Sequence, residues 1–75
     1  MDKRTILTIY QGYSKIEAEW VSDYFTDLKE TGKPIPIHVS KKTLEVEVEE
    51  VFIRDLYECV ENRTIYRVFV KVRLI

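Results

Sequence analysis

Cysteine and histidine are almost absent from this sequence. Among its 75 residues there is one of each, Cys59 and His38. A single cysteine forms no internal disulfide, and one histidine with one cysteine falls short of the four ligands of a structural zinc site. His38 also has no acidic residue close to it in sequence that would orient it as a general base. We therefore expect a protein that is not an enzyme and holds no metal, with Cys59 buried and unreactive.

Glycine is scarce as well, and neither Gly12 nor Gly32 belongs to a phosphate-binding loop motif. We accordingly expect no bound cofactor. Long apolar runs are also missing, since no stretch approaches the roughly 20 residues of a membrane span. The first residues lack the apolar segment of a signal peptide. These absences, together with the lone cysteine, predict a cytoplasmic protein that is not bound to a membrane.

What the sequence does contain is typical of a small globular domain. Apolar residues make up 45% of the chain and charged residues 33%, a globular rather than a disordered composition. A chain of this length accommodates one hydrophobic core, so we predict a single domain over residues 1–75. Such a core leaves only about 3–5 kcal/mol of net stability, and oligomerisation is one way to add to it.

One helix has clear boundaries in the sequence. Ser14 and Glu17 have the spacing of a capping box at its start, and Gly32 followed by Pro34 ends it. Apolar residues cover roughly 200° of this helix, about twice the arc that packing on a sheet needs. The side chains suited to the core are those of Ala18, Val21, Phe25 and Leu28.

Alternating apolar residues predict four strands. Residues 4–10 are apolar on both faces, which favours a central position in the sheet. Residues 34–39 contain Pro36, which cannot donate a ladder hydrogen bond and therefore predicts an edge strand. Residues 43–49 and 64–75 alternate strictly, with the valines of each segment on one face.

Residues 50–61 fit either a helix or a strand. Pairs of apolar residues recur there at helical spacing, and Asp55 and Glu58 are unfavourable inside a strand. The lack of an N-cap residue leaves a bulged continuation of the preceding strand as the alternative. We favour the helix, and hence an α+β fold with the β-α-β-β-α-β order of ferredoxin-like domains, whose last strand is at an edge. The alternative order is β-α-β-β-β, with one helix on a curled antiparallel sheet.

The surplus apolar surface of the helix is the first candidate binding site. Ile16, Trp20 and Tyr24, termed here the helix flank, lie beside the core residues at successive i+4 positions. Trp and Tyr are enriched among the residues that dominate binding energy. The helix flank therefore predicts a protein-binding surface. It also predicts a homodimer, formed through this flank or through the edge of the last strand.

A row of acidic residues is the second candidate. Glu45, Glu47 and Glu49, the acidic row, alternate with the valines of one strand, so their carboxylates stand about 6.6–6.8 Å apart. Such a row imitates a nucleic-acid backbone and suits the basic groove of a larger protein. The size and the lack of catalytic groups resemble small phage- and plasmid-encoded inhibitors, which implies an inhibitor or regulator. The alternative interpretation is a solvated sheet face whose charges neutralise one another.

The last strand carries the only nucleic-acid signal. Arg67, Phe69, Lys71 and Arg73 share one face of it, with cations on both sides of a ring that can stack on a base. RNA-recognition domains read bases on an open sheet face. Nucleic-acid binding through this strand face is therefore the alternative function, although the neighbouring acidic row would repel phosphate.

Overall fold

One helix and four strands make up the fold of the described residues. The computed structural model describes residues 4–75. The elements are β1 (Arg4–Gly12), α1 (Lys15–Thr31), β2 (Ile35–Val39), β3 (Lys42–Glu58) and β4 (Arg63–Leu74). The strands form one antiparallel sheet in the order β1-β4-β3-β2, and α1 packs on one face of it. The opposite face is covered by no helix of the described residues, and it is termed the open face.

Helix α1 begins and ends where its boundary residues predict. The Oγ of Ser14 accepts a hydrogen bond from the Glu17 N–H at 3.2 Å, and Gly32 ends the helix in the left-handed conformation (φ 68°). The Glu17 carboxylate accepts a hydrogen bond from the Tyr10 hydroxyl at 3.0 Å, which ties the start of the helix to β1. Partial burial and this hydrogen bond raise the pKa of Tyr10. Gly12 leaves room for this hydroxyl, because a Cβ there would lie 2.6 Å from the Tyr10 oxygen.

The core lies between α1 and the inner face of the sheet. Its fully or nearly buried residues are one alanine and five valines: Ala18, Val46, Val48, Val68, Val70 and Val72. Phe25 and Leu28 of α1 pack against the valines, as the helical periodicity predicts. The valines alternate along β3 and β4, so the residues between them point to the open face.

The favoured second helix is wrong. Residues 50–58 continue β3, which pairs with β4 as far as Glu58 opposite Arg63. The alternative, a bulged continuation of the strand, is what the structure shows, because the register of β3 shifts between Val48 and Glu50. The bulge puts Val48 and Val51 on the same inner face three residues apart, a spacing that imitates a helix. The α+β prediction is confirmed as one helix on a four-stranded antiparallel sheet. The element order is β-α-β-β-β rather than ferredoxin-like.

This topology exchanges the predicted places of the first and last strands. β4 is central and pairs with both β1 and β3, so it offers no free edge for a homodimer. β1 lies at an edge, and its apolar residue Ile6 is 56% exposed on the open face. β2 lies at the other edge, as Pro36 predicts. Cys59 is exposed in the turn between β3 and β4, so the prediction that its thiol is buried is wrong.

Candidate functional site

The helix flank is brought together as the sequence predicts. Ile16, Trp20 and Tyr24 are 60%, 67% and 63% exposed, whereas Ala18, between the first two, is fully buried. The Tyr24 ring packs edge-on against the ring of Phe25, with their centroids 5.2 Å apart. α1 carries five acidic and two basic side chains, a net charge of −3. The helix flank is thus an exposed apolar strip on a negatively charged helix.

The acidic row lies on the open face, on the opposite side of the sheet from the helix flank. Arg73 donates a hydrogen bond to Glu47 at 2.5 Å. Glu49 lies 3.7 Å from Arg73 and 3.1 Å from Arg4. The hydrogen bond with Glu47 is the main cause of a raised pKa at Arg73. Arg4, Glu47, Glu49 and Arg73 are termed the ion-pair ladder.

Only one member of the acidic row stays outside the ladder. Glu45 is exposed, and its carboxylate forms no ion pair within residues 4–75. The other two carboxylates already face guanidinium groups. This geometry favours the interpretation in which the acidic row and the basic strand neutralise each other.

The open face changes character beyond the bulge. Phe52 of β3 lies opposite Phe69 of β4, with ring centroids 5.4 Å apart and 27° between the ring planes. The Arg54 guanidinium lies 5.5 Å from the centroid of Phe52. Arg67 and Lys71 lie on either side of Phe69 along β4. Phe52, Arg54, Arg67, Phe69 and Lys71 are termed the cation–aromatic patch.

The cations of this patch have no acidic partner in the described part of the chain. No ion pair involves Arg54, Arg67 or Lys71 there. The Nε of Arg67 is buried and has no hydrogen-bond partner among residues 4–75. A depression of about 370 Å³ adjoins the patch, and its lining residues are Ile6, Glu50, Phe52, Ile53, Arg54 and Lys71.

Three residues of this patch are predictable from the sequence and two are not. Arg67, Phe69 and Lys71 share the open face as predicted, while Arg73 belongs to the ion-pair ladder. Phe52 and Arg54 are not predicted to lie beside Phe69, because the sequence pattern favours a helix over residues 50–61. The run Val51-Phe52-Ile53, which is β-branched and aromatic, is the signal that favours a strand there.

The single histidine of the sequence contacts a hydroxyl group of the neighbouring strand. His38 Nδ1 lies 3.1 Å from the Thr43 hydroxyl. Within residues 4–75, no group of three or more His, Cys, Asp or Glu side chains is arranged to hold a metal ion. In the same range, no helix is both long and apolar enough to cross a membrane. No protein-family model, curated protein or solved structure matches this chain.

Proposed function

We propose that this protein is a non-catalytic binding module that docks on a larger protein through the helix flank and acts as an inhibitor or regulator. One observation carries the proposal. Three large apolar side chains at successive i+4 positions are each at least 60% exposed on a helix whose neighbouring face packs on the sheet through Phe25 and Leu28. A side chain such as that of Trp20 buries roughly 150–250 Å² when it is covered, and aromatic residues of this kind dominate interface energies.

The charge of the helix specifies the kind of partner. Anchors at i, i+4 and i+8 suit an apolar groove that accepts one face of a helix. Because α1 carries a net charge of −3, the groove of the partner should be apolar at its centre and basic at its rim. Such a rim would raise the association rate, and the apolar centre would slow dissociation.

The acidic row is the weaker part of this proposal. It lies on the other side of the sheet, so one groove does not contact the helix flank and the acidic row together. Glu47 and Glu49 are also engaged in the ion-pair ladder. The resemblance to phage- and plasmid-encoded inhibitors rests on size and the lack of catalytic groups, and it stays a prediction.

Capture experiments with matched variants test the helix flank. We expect the wild-type chain to retain a protein from the lysate of its native host, and Trp20→Ala to lose it through a dissociation rate about tenfold or more higher. Tyr57→Ala is the control, since this aromatic side chain is 55% exposed but lies on β3. A partner that both variants retain equally would contradict the proposal. Circular dichroism must show that both variants are folded.

Light scattering separates a foreign partner from a second copy of the chain. A species of twice 9.0 kDa at high micromolar concentration that Trp20→Ala dissociates would place the second copy on the helix flank. A strict monomer would contradict the homodimer prediction and leave the flank free for another protein.

A further inference from the structure

We infer that the open face holds a second binding site, for single-stranded nucleic acid, centred on the cation–aromatic patch. This site is independent of the proposed protein-docking function, because the helix flank lies on the other side of the sheet. The two central strands, β4 and β3, supply all of its residues.

The aromatic rings form a stack that is open at one end. The Phe52 and Phe69 rings stack on each other, and the Arg54 guanidinium also contacts the Phe52 ring. On the far side of Phe69 the neighbouring residue of β1 is Thr8, which is small and exposed. A nucleobase placed beside Thr8 would continue the stack on Phe69, and stacking of this kind tolerates any base because every base has a π face.

Arg67 and Lys71 lie where the phosphate backbone of a single-stranded nucleic acid would pass. Arg67 and Lys71 are two residues before and after Phe69, about 6.6–6.8 Å along β4 in each direction. Neither takes part in an ion pair with any described residue. The apolar side chain of Ile6 and the depression beside Lys71 add room for a sugar or a second base.

Charge directs the ligand to this face. The patch has three cations, and Glu50 is the one acidic residue that lines the adjoining depression, so the local sum is +2. The helix on the opposite side has a net charge of −3. A polyanion is therefore attracted to the patch and repelled from the helix on the other side. Duplexes are excluded as the preferred ligand, because their bases are already stacked and cannot reach Phe69.

Fluorescence anisotropy with labelled oligonucleotides of about 12 nucleotides tests the site, using oligo(dT), oligo(rU) and a duplex. We expect both single strands to bind more tightly than the duplex. Affinity should fall with salt at a log–log slope of about −2, as three phosphate contacts imply. Phe69→Leu should weaken binding about tenfold, because it keeps apolar bulk but removes the stacking ring.

Thr8→Phe is the sharper variant, because it leaves every residue of the patch in place. A ring at this position would occupy the space of the incoming base, so we expect a loss of binding at least as large as for Phe69→Leu. Thr43→Phe is the matched control: this residue is exposed on the same face, at the far end of the ion-pair ladder. It should bind like the wild type.

Several results would overturn the inference. One is the absence of any complex with either single strand at low salt. Another is binding that depends on salt but not on Thr8→Phe or Phe69→Leu, since that would be adhesion of a generic polyanion. A third is a homodimer that Phe69→Leu dissociates without any oligonucleotide binding, which would assign the open face to a second copy of the chain.

Discussion

The two halves of the open face differ, although β4 supplies cations to both. Before the bulge, β3 places Glu47 beside Arg73, and the charges cancel. Beyond the bulge, β3 places Phe52 beside Phe69 and Arg54 beside Arg67, and the cations keep no acidic partner in the described chain. Alternation along β4 therefore places Arg73 in an ion pair with β3, whereas Arg67 and Lys71 form no ion pair with any described residue. The neighbouring strand β3 decides whether a given cation of β4 is paired.

The bulge is the boundary between these halves. Regular pairing places Val48 opposite Val72, and it resumes with Glu50 opposite Lys71. Glu49 is the extra residue, and its carboxylate meets Arg4 and Arg73 in the ion-pair ladder. Because Glu49 has no residue of its own opposite it on β4, the side chains of β3 beyond the bulge point to the faces on which they are observed.

Single-residue deletions on the two sides of this boundary should have the largest effects. Deletion of Glu49 should leave a folded protein, because Glu50 can follow Val48 in a regular ladder without moving any side chain to the other face. Deletion of Val51 should unfold it. Glu50 would then take the partly buried place of Val51 opposite Val70, against the core. An unpaired buried carboxylate costs several kcal/mol, against a stability of about 3–5 kcal/mol for a domain of this size.

Circular dichroism and thermal melting distinguish the two deletions. Equal loss of structure in both would show that the bulge is required for folding rather than tolerated. Equal retention in both would show that β3 can slip along β4.

Most of the fold follows from local signals in the sequence. Ser14 and Gly32 predict the limits of α1, and Pro36 predicts the edge position of β2, because capping and hydrogen-bond donors are properties of single residues. The strand over residues 50–58 could not be recognised in this way. Pairs of residues recur at helical spacing within residues 50–61, and the pairing with β4 that outweighs this pattern is a tertiary interaction.

The residues of the open face likewise divide into those predicted by local signals and those placed by tertiary interactions. Alternation within β4 is enough to put Arg67, Phe69 and Lys71 on one face. The state of Arg73 depends on Glu47, 26 residues away in sequence, and the sequence alone did not show that these two residues pair. Phe52 and Arg54 belong to the patch because of the register between β3 and β4, and this register is not visible in the sequence.

Charge reversal across the acidic row should remove the difference between the halves. Replacing Glu45, Glu47 and Glu49 together by Lys removes the acidic partners of Arg73 and adds cations along β3. We expect oligonucleotide affinity at low salt to rise more than tenfold, with a log–log slope near −4 if about three further phosphates are engaged. Replacement of the same three residues by Gln is the control and should give a smaller gain in oligonucleotide affinity.

The same Lys triple separates the two proposed functions. Loss of a captured protein partner, with the helix flank intact, would show that the acidic row contributes to docking. Unchanged oligonucleotide affinity and slope would show that nucleic acid does not run along the open face.

The smallest effects should come from removing one cation beyond the bulge and one ion pair before it. Lys71→Gln should weaken oligonucleotide binding a few-fold and reduce the salt slope by about 0.7, because one phosphate contact is lost. The double variant Glu47→Gln/Arg73→Gln removes an ion pair without changing the net charge. It should leave affinity, slope and melting temperature close to those of the wild type, since both partners are substantially exposed. Titrations between about 50 and 400 mM salt measure both slopes. If the double variant lost as much slope as Lys71→Gln, Arg73 would be a phosphate contact despite its pairing, and the two halves would form one continuous site.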